Sequence, residues 1–340
     1  GALVLTEGTN RPTLAYLMLA HEHPTECARL ARRILDSSQA LVIHLDRKAA
    51  PDFRERFDAE LGEPASAVRW SRRVAVEWGE WSMVEATLSG LDTIAAFDDP
   101  PGHVVLLSGS DYPIRPLEQF EAFLARHQDI DFIETVDPER DLWVRDGPQH
   151  ERFRCWHGVN WRRHPRLFDL SLRLQRRLGV HRRLPAGLRP HLGAQWWVLS
   201  WSTCERVREL ARRPDVQRFF RRTWVPDELF FQTAVASLVP AENRRSLRLT
   251  HCLFNDRGTP LVFHDGQDDY LARQPAFFAR KLAPRATGLR DALDAMAQKD
   301  AVPPLDDDAV GGQTSDYHDF LERHARGMSG VFCWGRPVPL

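Results

Sequence analysis

One short acidic motif has the residue types needed for proton transfer. Trp224-Val-Pro-Asp-Glu228 places two carboxylates directly after a tryptophan and a proline. A carboxylate beside aromatic side chains can act as general base toward a sugar hydroxyl, and Glu228 is our candidate for that role. The same residues also suit an ordinary helix start, because proline and acids favour the first helical turn. Stacking faces, or ordinary core packing, are expected from Trp78, Trp81, Trp196 and Trp197.

Two adjacent cations could hold a diphosphate. Phe277-Phe-Ala-Arg-Lys-Leu282 sets Arg280 and Lys281 behind an apolar anchor. Lysine is scarce in this chain, since only Lys48, Lys281 and Lys299 occur among 46 basic residues. Fixed cations that form charge-assisted hydrogen bonds with a leaving diphosphate can replace a metal ion. A solvated surface pair is the alternative interpretation.

The acidic residues lack the pattern of a diphosphate-bridging metal site. Such a site usually has an Asp-x-Asp after a central strand. Here the apolar run 103–107 ends in Ser108-Gly-Ser-Asp111, with a single carboxylate. Asp129-Ile-Asp131 precedes its predicted strand, so we expect it at the solvated surface, and we expect 306–308 in an exposed linker at 303–314. Metal independence, with no cofactor, is therefore the prediction.

Several other catalytic classes find no support in the motifs. No GxGxxG follows the first strand and no GxxxxGK[ST] occurs, which argues against a dehydrogenase and a P-loop NTPase. The Gly-x-Ser-x-Gly elbow of the α/β-hydrolases is also absent. A metal-dependent hydrolase built on His21, His23 and Asp111 stays open as an alternative.

Short apolar runs alternate with helical patterns in the first half of the chain. This alternation predicts an α/β fold with a parallel sheet whose strands are joined by right-handed crossovers. Strands are predicted at 14–20, 40–45, 74–76, 103–107, 130–134 and 195–200, and helices at 24–35, 81–96, 203–213 and 226–239. Ligands bind beyond the carboxyl ends of the strands in such sheets. The polar strand ends are Ala20-His-Glu-His23, Asp46-Arg-Lys48, Ser108-Gly-Ser-Asp111 and Glu134-Thr135.

Composition favours a globular protein and argues against a nucleic-acid partner. The 340 residues are 43% hydrophobic, enough for a sizeable core, and the net charge is −1. Five scattered cysteines without a CxxC pair fit a reducing cytoplasm. The apolar runs are shorter than the ~20 residues of a membrane helix, and the first residues lack a basic, apolar signal pattern. We therefore expect a cytoplasmic protein.

The segment 162–189 is strongly basic. It holds nine arginines interleaved with leucines. Such a pattern could place a basic amphipathic helix at a membrane surface or near an anionic acceptor. An ordinary solvated helix face is the alternative, so the localisation that we expect is cytoplasmic, with peripheral contact at the inner membrane face left open.

Taken in order, these segments resemble one glycosyltransferase family. The motifs are Ala15-Tyr-Leu-Met-Leu-Ala-His21, Val42-Ile-His-Leu-Asp-Arg-Lys48, Glu80-Trp-Ser-Met-Val-Glu-Ala-Thr-Leu88, Leu106-Leu-Ser-Gly-Ser-Asp-Tyr-Pro-Ile114, Phe132-Ile-Glu-Thr135, Gly193-Ala-Gln-Trp-Trp197, Pro226-Asp-Glu228 and Phe278-Ala-Arg-Lys281. They are similar to those of the core-2/I-branching N-acetylglucosaminyltransferases and peptide-O-xylosyltransferases, glycosyltransferase family 14, in a bacterial-type member. The resemblance covers about Leu14 to Pro284.

The resemblance implies a fold and a reaction. The fold would be GT-A-like, with a Rossmann-like nucleotide-binding half and a mixed central sheet. The reaction would be inverting, metal-independent transfer from a UDP-sugar, with UDP-N-acetylglucosamine or UDP-xylose as donor. The acceptor would be a glycan or lipid-linked hydroxyl in bacterial surface polysaccharide synthesis. A catalytically inactive sugar-nucleotide-binding subunit is the alternative.

The resemblance also implies roles for single residues. Glu228 looks like the catalytic base, Asp46 like the uracil-binding aspartate, and Lys281 and Arg280 like the diphosphate-binding cations, with Arg248 as a weaker match for a further one. We add the strand-end residues to the donor site and the paired tryptophans to the acceptor site. The expected donor site comprises His21, Asp46, Trp78, Ser110, Asp111, Arg248, Arg280 and Lys281, and the expected acceptor site Glu134, Arg145, Trp196 and Trp197.

We expect one catalytic domain over residues 12–300. Its first half, 12–136, would bind the nucleotide sugar, and its second half, 137–300, would hold the acceptor and the base. Residues 301–340 would form a C-terminal extension.

Overall fold

A mixed sheet organises the fold. The computed structural model describes residues 13–143, 148–254, 260–298 and 302–311, together with the backbone of 331–333 and 336–338. Strands occupy β1 Leu14–Ala20, β2 Ala40–Leu45, β3 Arg69–Trp70, β4 His103–Ser108, β5 Tyr112–Pro113, β6 Asp131–Phe132, β7 Val198–Ser200, β8 Arg244–Arg245, β9 Thr250–His251, β10 Leu261–Val262, β11 Phe278–Ala279, β12 Val331–Cys333 and β13 Arg336–Val338.

Helices cover both faces of this sheet. They are α1 Pro24–Asp36, α2 Phe53–Leu61, α3 Ser82–Ile94, α4 Leu117–Arg126, α5 Glu151–Arg154, α6 Pro165–Arg177, α7 Trp201–Arg212, α8 Pro214–Phe220, α9 Phe230–Leu238, α10 Asp268–Ala272 and α11 Thr287–Gln298. Short 3-10 turns lie at Glu63–Ala67, Pro226–Glu228 and Ala241–Asn243. No helix in the described residues is long and apolar enough to cross a membrane.

The central sheet combines parallel and antiparallel strands. Its order is β3-β2-β1-β4-β7-β6-β8. The first four strands run parallel, whereas β7 is antiparallel to both β4 and β6. This arrangement confirms the predicted α/β class with a mixed central sheet, and it is consistent with the GT-A-like fold that the resemblance implies.

The core lies on both faces of the central sheet. Alternate residues of β1 face opposite sides, because successive side chains of a strand point in opposite directions. Tyr16 and Met18 pack into one core with α1, α2 and α4, while Ala15 and Leu17 pack into the other with α3, α7 and α9. Burial on both faces explains why the strand sequences are almost continuously apolar.

A smaller sheet brings the predicted cations to the end of β4. It has the order β5-β11-β9, and β5 directly follows the loop after β4. β11 leads into Arg280 and Lys281, and the amide of Leu282 donates to the carbonyl of Ser110 at 2.9 Å. The topology therefore joins the two sequence motifs 106–114 and 278–281.

Some predicted elements differ from the observed ones. Residues 74–76 form no strand, and the outer strand of the sheet is β3 at Arg69–Trp70. The predicted helix 226–239 is divided into a 3-10 turn and α9. The predicted strands at 130–134 and 195–200 are shorter, as β6 and β7. Helices α2 and α4 were not predicted.

Two predictions of surface position need correction. Asp129 is exposed, but Asp131 is buried, and its carboxylate accepts from the Ser200 amide at 2.7 Å and the Thr203 hydroxyl at 2.6 Å, at the start of α7. Residues 302–311 are not a free linker, because Arg115 donates to the Pro303 carbonyl at 2.6 Å, and Val302 and Val310 are buried. The run 306–308 is exposed, as predicted.

Candidate active site

The predicted base lies in a constrained turn. Val225 has φ 51°, a left-handed conformation that is unfavourable for a β-branched residue, and its amide donates to the Gly79 carbonyl at 3.0 Å. The 3-10 turn Pro226–Glu228 follows immediately. This turn leaves the Glu228 side chain 28% exposed, although it is surrounded by core segments. The backbone strain is of the kind found at functional sites.

An arginine orients the Glu228 carboxylate. Arg152 Nη1 donates to Glu228 Oε2 at 2.7 Å, and only 8% of the arginine side chain is exposed. Its guanidinium carbon lies 5.3 Å from the ring centre of Trp143 and 5.1 Å from that of Trp224. Charge-assisted bonds from such a confined guanidinium fix both partners in one geometry. The carboxylate is thus held in a single orientation.

The neighbouring acid has a different environment. Asp227 is fully buried, and its Oδ1 has no hydrogen-bond partner among the described residues. Burial, followed by the charge of Glu228, raises the pKa of Asp227 well above its ordinary value. The two adjacent acids are therefore distinct: Asp227 faces the interior, while Glu228 is ion-paired and accessible.

A glycine joins Glu228 to the predicted acceptor acid, Glu134. The Gly193 amide donates to the Glu228 carbonyl at 3.2 Å. A Cβ on Gly193 would lie 2.7 Å from the carbonyl carbon of Glu134, and the carbonyl oxygen of Glu134 is closer still. Only a glycine allows these backbones to approach so closely. The buried Gln232 amide nitrogen fixes this loop by donating to Gly193, Ala194 and Asp227 carbonyls at 2.9–3.2 Å.

Glu134 itself is anchored from three directions. Its Oε2 accepts from the Ala194 amide at 2.8 Å and from Trp143 Nε1 at 3.2 Å. Arg248 Nε lies 4.0 Å from Oε1, so this arginine pairs with Glu134. The structure therefore joins Glu134, Arg248 and Glu228 in one connected set of contacts. Arg145 lies outside the described residues.

The cation motif at the other end of this loop contains a buried ion pair. Arg280 Nε donates to Asp111 Oδ1 at 3.0 Å, and the Asp111 carboxylate is fully buried. The Ser108 hydroxyl donates to the same oxygen at 2.6 Å, and Ser110 Oγ lies 3.0 Å from Ser108 Oγ. The Arg280 guanidinium stacks on Trp196 at 4.1 Å. The buried Asp111 carboxylate thus fixes the Arg280 guanidinium, and the guanidinium in turn packs on the Trp196 ring.

Lys281 is the more accessible cation of the pair. Burial, and then the charge of Arg280, lower the pKa of Lys281 to about 8. The hydrogen bond from His21 lowers the pKa of Glu22, and the charge of Lys281 is a smaller contribution in the same direction. Because Glu22 follows β1, this effect indicates that Lys281 lies near the end of that strand. His21 is mostly exposed, with Nε2 3.2 Å from Glu22 Oε1. Lys281 thus stands close to the first strand end, where a diphosphate is expected.

The predicted uracil contact lies at the end of β2. Asp46 is buried, and its Oδ1 accepts from the amides of Lys48 and Val76 at 2.8 and 3.3 Å. Residues 74–76 contact the end of β2 largely through its side chains: the Val74 amide donates to His44 Nε2 at 2.9 Å, while the Val74 carbonyl accepts from the Arg47 amide at 3.0 Å. These bonds replace the ladder that the prediction of a strand at 74–76 required.

Three tryptophans form an aromatic cleft, and one of them, Trp224, packs on the Arg152 that binds Glu228. The ring centre of Trp78 lies 5.5 Å from that of Trp161 and 6.3 Å from that of Trp224. The cleft has a volume of about 380 Å³, and Asn160 donates to Glu80 at 2.6 Å along its wall. Trp197, in contrast, is 2% exposed and packs on Phe231, which places it in the core and not on an accessible surface.

Metal ligands do not converge in the described part of the chain. It contains no group of three or more His, Cys, Asp and Glu side chains that could hold a metal ion. His21 and His23 both face Glu22, whereas Asp111 binds Arg280. The three residues of the hydrolase alternative are therefore engaged with other partners.

Several residues at the site were given no function from the sequence. Arg152 and Gln232 stand in no motif, and their partners are 76 and up to 39 residues away in the chain. Gly193 opens the quoted motif 193–197 but was given no role. Trp161 directly precedes the basic segment 162–189, where arginines dominate the pattern.

Comparison with known proteins places the chain in a family. The family model "Core-2/I-Branching enzyme" matches residues 14–260, and the chain belongs to this family. Xylosyltransferase 1 of Homo sapiens is 26% identical over 302 residues, which is 80% of this chain and 29% of that protein. Xylosyltransferase 2 of Rattus norvegicus is 27% identical over 250 residues, or 70% of this chain and 26% of that protein. The chain spans less than a third of the length of these relatives.

Proposed function

We propose that the chain is an inverting, metal-independent transferase that uses a UDP-sugar. The sugar, N-acetylglucosamine or xylose, would pass to a hydroxyl of a glycan or glycolipid acceptor in bacterial surface polysaccharide synthesis at the cytoplasmic side of the membrane. In this proposal residues 12–136 bind the donor, residues 137–300 hold the acceptor and the base, and residues 301–340 form an extension.

One observation carries the proposal. The segment Gly193–Trp196 contacts Glu228 at its first residue and stacks on Arg280 at its last. Four residues span at most about 14 Å. A sugar diphosphate is of similar length, so its anomeric carbon can face Glu228 while its phosphates face Lys281. The segment therefore limits how far the base can lie from the cation motif.

The reaction follows from these positions. Glu228 accepts the proton of the acceptor hydroxyl, and the resulting oxygen attacks the anomeric carbon. The bond from this carbon to the diphosphate oxygen breaks, and its electron pair leaves with UDP. Lys281 stabilises the negative charge that develops there, while Arg280, neutralised by Asp111, fixes the position of Lys281. Arg152 keeps the Glu228 carboxylate oriented toward the reacting hydroxyl.

A donor screen tests the proposal. Thermal unfolding is measured with UDP-N-acetylglucosamine, UDP-xylose and other nucleotide sugars, because a ligand of the native state raises the Tm. Transfer and donor hydrolysis are then assayed with and without excess EDTA, and the anomeric configuration of the product is read by NMR. Activity that needs Mn²⁺, or a retained configuration, would refute the proposal. UDP binding without hydrolysis or transfer would identify the inactive subunit instead.

A further inference from the structure

The outer face of α6 is apolar although it is exposed. Leu167, Leu170, Leu174 and Leu178 are 54, 62, 54 and 68% exposed. Their spacing of three, four and four residues aligns them along one side of a helix with 3.6 residues per turn. We name these four residues the leucine stripe. A contiguous exposed apolar surface of this kind marks an interaction site.

A row of cations borders the leucine stripe. Arg166, Arg173 and Arg177 are spaced by seven and four residues, so they lie together about a quarter turn from the stripe. All three are exposed, and none forms an ion pair within the described part of the chain. Asp169 is the only acid in 162–183. The face therefore combines apolar side chains with unneutralised positive charge.

We propose that this face of α6 docks on a bilayer rich in anionic phospholipid. A helix with leucines on one side and arginines beside them lies in the interface, where the leucines enter the acyl region and the arginines meet the phosphates. A second copy of the chain is a poorer occupant, because pairing two stripes would bring like-charged arginine rows together. A purely anionic polymer would leave the leucines in water.

The inner face of α6 connects the leucine stripe with the candidate active site. The ring centre of Phe168, on the buried side of α6, lies 5.4 Å from that of Trp224. Trp224 stacks on Arg152, which binds Glu228. Because a helix with its side chains is about 10–12 Å across, docking would place the tryptophan cleft about one helix diameter from the lipid. If the proposed function holds, the acceptor is then lipid-linked.

Vesicle flotation with the full chain tests the docking. Vesicles of phosphatidylglycerol and phosphatidylcholine are compared with vesicles of phosphatidylcholine alone, at low and high salt. Arg166→Gln/Arg173→Gln/Arg177→Gln is expected to weaken binding at least tenfold, and Leu174→Gln about tenfold. The matched controls are Arg56→Gln/Arg206→Gln/Arg212→Gln, with the same loss of charge on α2 and α7, and Leu142→Gln, an exposed leucine outside α6.

The outcomes separate the possible occupants. Binding to anionic vesicles that both α6 variants weaken and both controls preserve supports the proposal. Absence of vesicle binding overturns it, as does binding that Leu174→Gln leaves intact, since this would be charge adsorption alone. A dimer in analytical ultracentrifugation that Leu174→Gln dissociates would assign the face to a second copy. Donor hydrolysis is measured separately in detergent-free solution, so failure of docking and failure of the proposed function are distinguishable.

Discussion

Replacing Gly193 by alanine perturbs the loop that joins the two acids of the site. The new Cβ would lie 2.7 Å from the carbonyl carbon of Glu134, whereas carbon atoms in contact lie about 3.5–4.0 Å apart. Since this neighbour is backbone, the loop or Glu134 has to move by about 1 Å. A displacement of that size at a reacting group can cost about 100-fold in rate.

The assay for Gly193→Ala separates positioning from folding. We expect kcat to fall about 100-fold, while the affinity for UDP, measured by calorimetry, stays within about threefold, because the residues that Gly193 contacts directly, Glu134, Glu228 and Gln232, are not among the expected donor-site residues. Thermal unfolding reports the overpacking cost, about 1–3 kcal/mol. Gly102→Ala is the matched control, since its Cβ would meet the Thr13 carbonyl oxygen at an ordinary 3.4 Å. A Gly193→Ala protein with unchanged kcat would show that Gly193 does not position the two acids for catalysis.

Two further predictions concern pH. The pKa of Asp227 is raised in the folded state, so the unfolded state loses its proton first and Asp227 destabilises the fold increasingly as pH rises above about 4. Asp227→Asn should therefore raise the Tm, by an amount that grows between pH 5 and pH 8 and is on the order of 5 °C. The control is Asp98→Asn, the same substitution at an exposed position. A Tm difference that does not depend on pH, or one that the control shares, would contradict this prediction. Lys281, with its pKa lowered to about 8, is charged below that pH and neutral above it, so the Kd for UDP should rise from pH 7 to 9.5. Lys281→Arg should abolish this dependence, and equal pH profiles in calorimetry would exclude Lys281 as its source.

The strands were predictable where burial alone determines them. β1, β2 and β4 are buried on both faces, so nearly every residue in them is apolar and the strands can be recognised from the sequence. Residues 74–76 show a similar β-branched pattern, yet the His44 ring and the Asp46 carboxylate bind the amides of Val74 and Val76. Side-chain acceptors from another strand end are invisible to a local pattern, which is why this prediction was wrong.

The strand ends that form the site could be predicted from the sequence, whereas the pairing of their side chains could not. The polar ends of β1, β2 and β4 were expected to gather at one edge, and Glu22, Asp46 and Asp111 follow those strands. The ion pair of Arg280 with Asp111 joins residues 169 positions apart. That pairing depends on how β11 is placed beside β5, and nothing in either motif specifies it. The roles of single residues therefore required the tertiary structure.

Replacing Glu228 by glutamine tests whether this carboxylate is the catalytic base. The substitution keeps the size of the side chain and removes its ability to accept a proton. Glu242→Gln, the same change at an exposed position, is the control. In a single-turnover measurement with bound UDP-sugar, we expect a transfer rate about 100- to 10,000-fold lower for Glu228→Gln, with the Kd for UDP and the rate of the control variant unchanged. A folded Glu228→Gln protein that transfers sugar at the wild-type rate would contradict the assignment of Glu228 as the base.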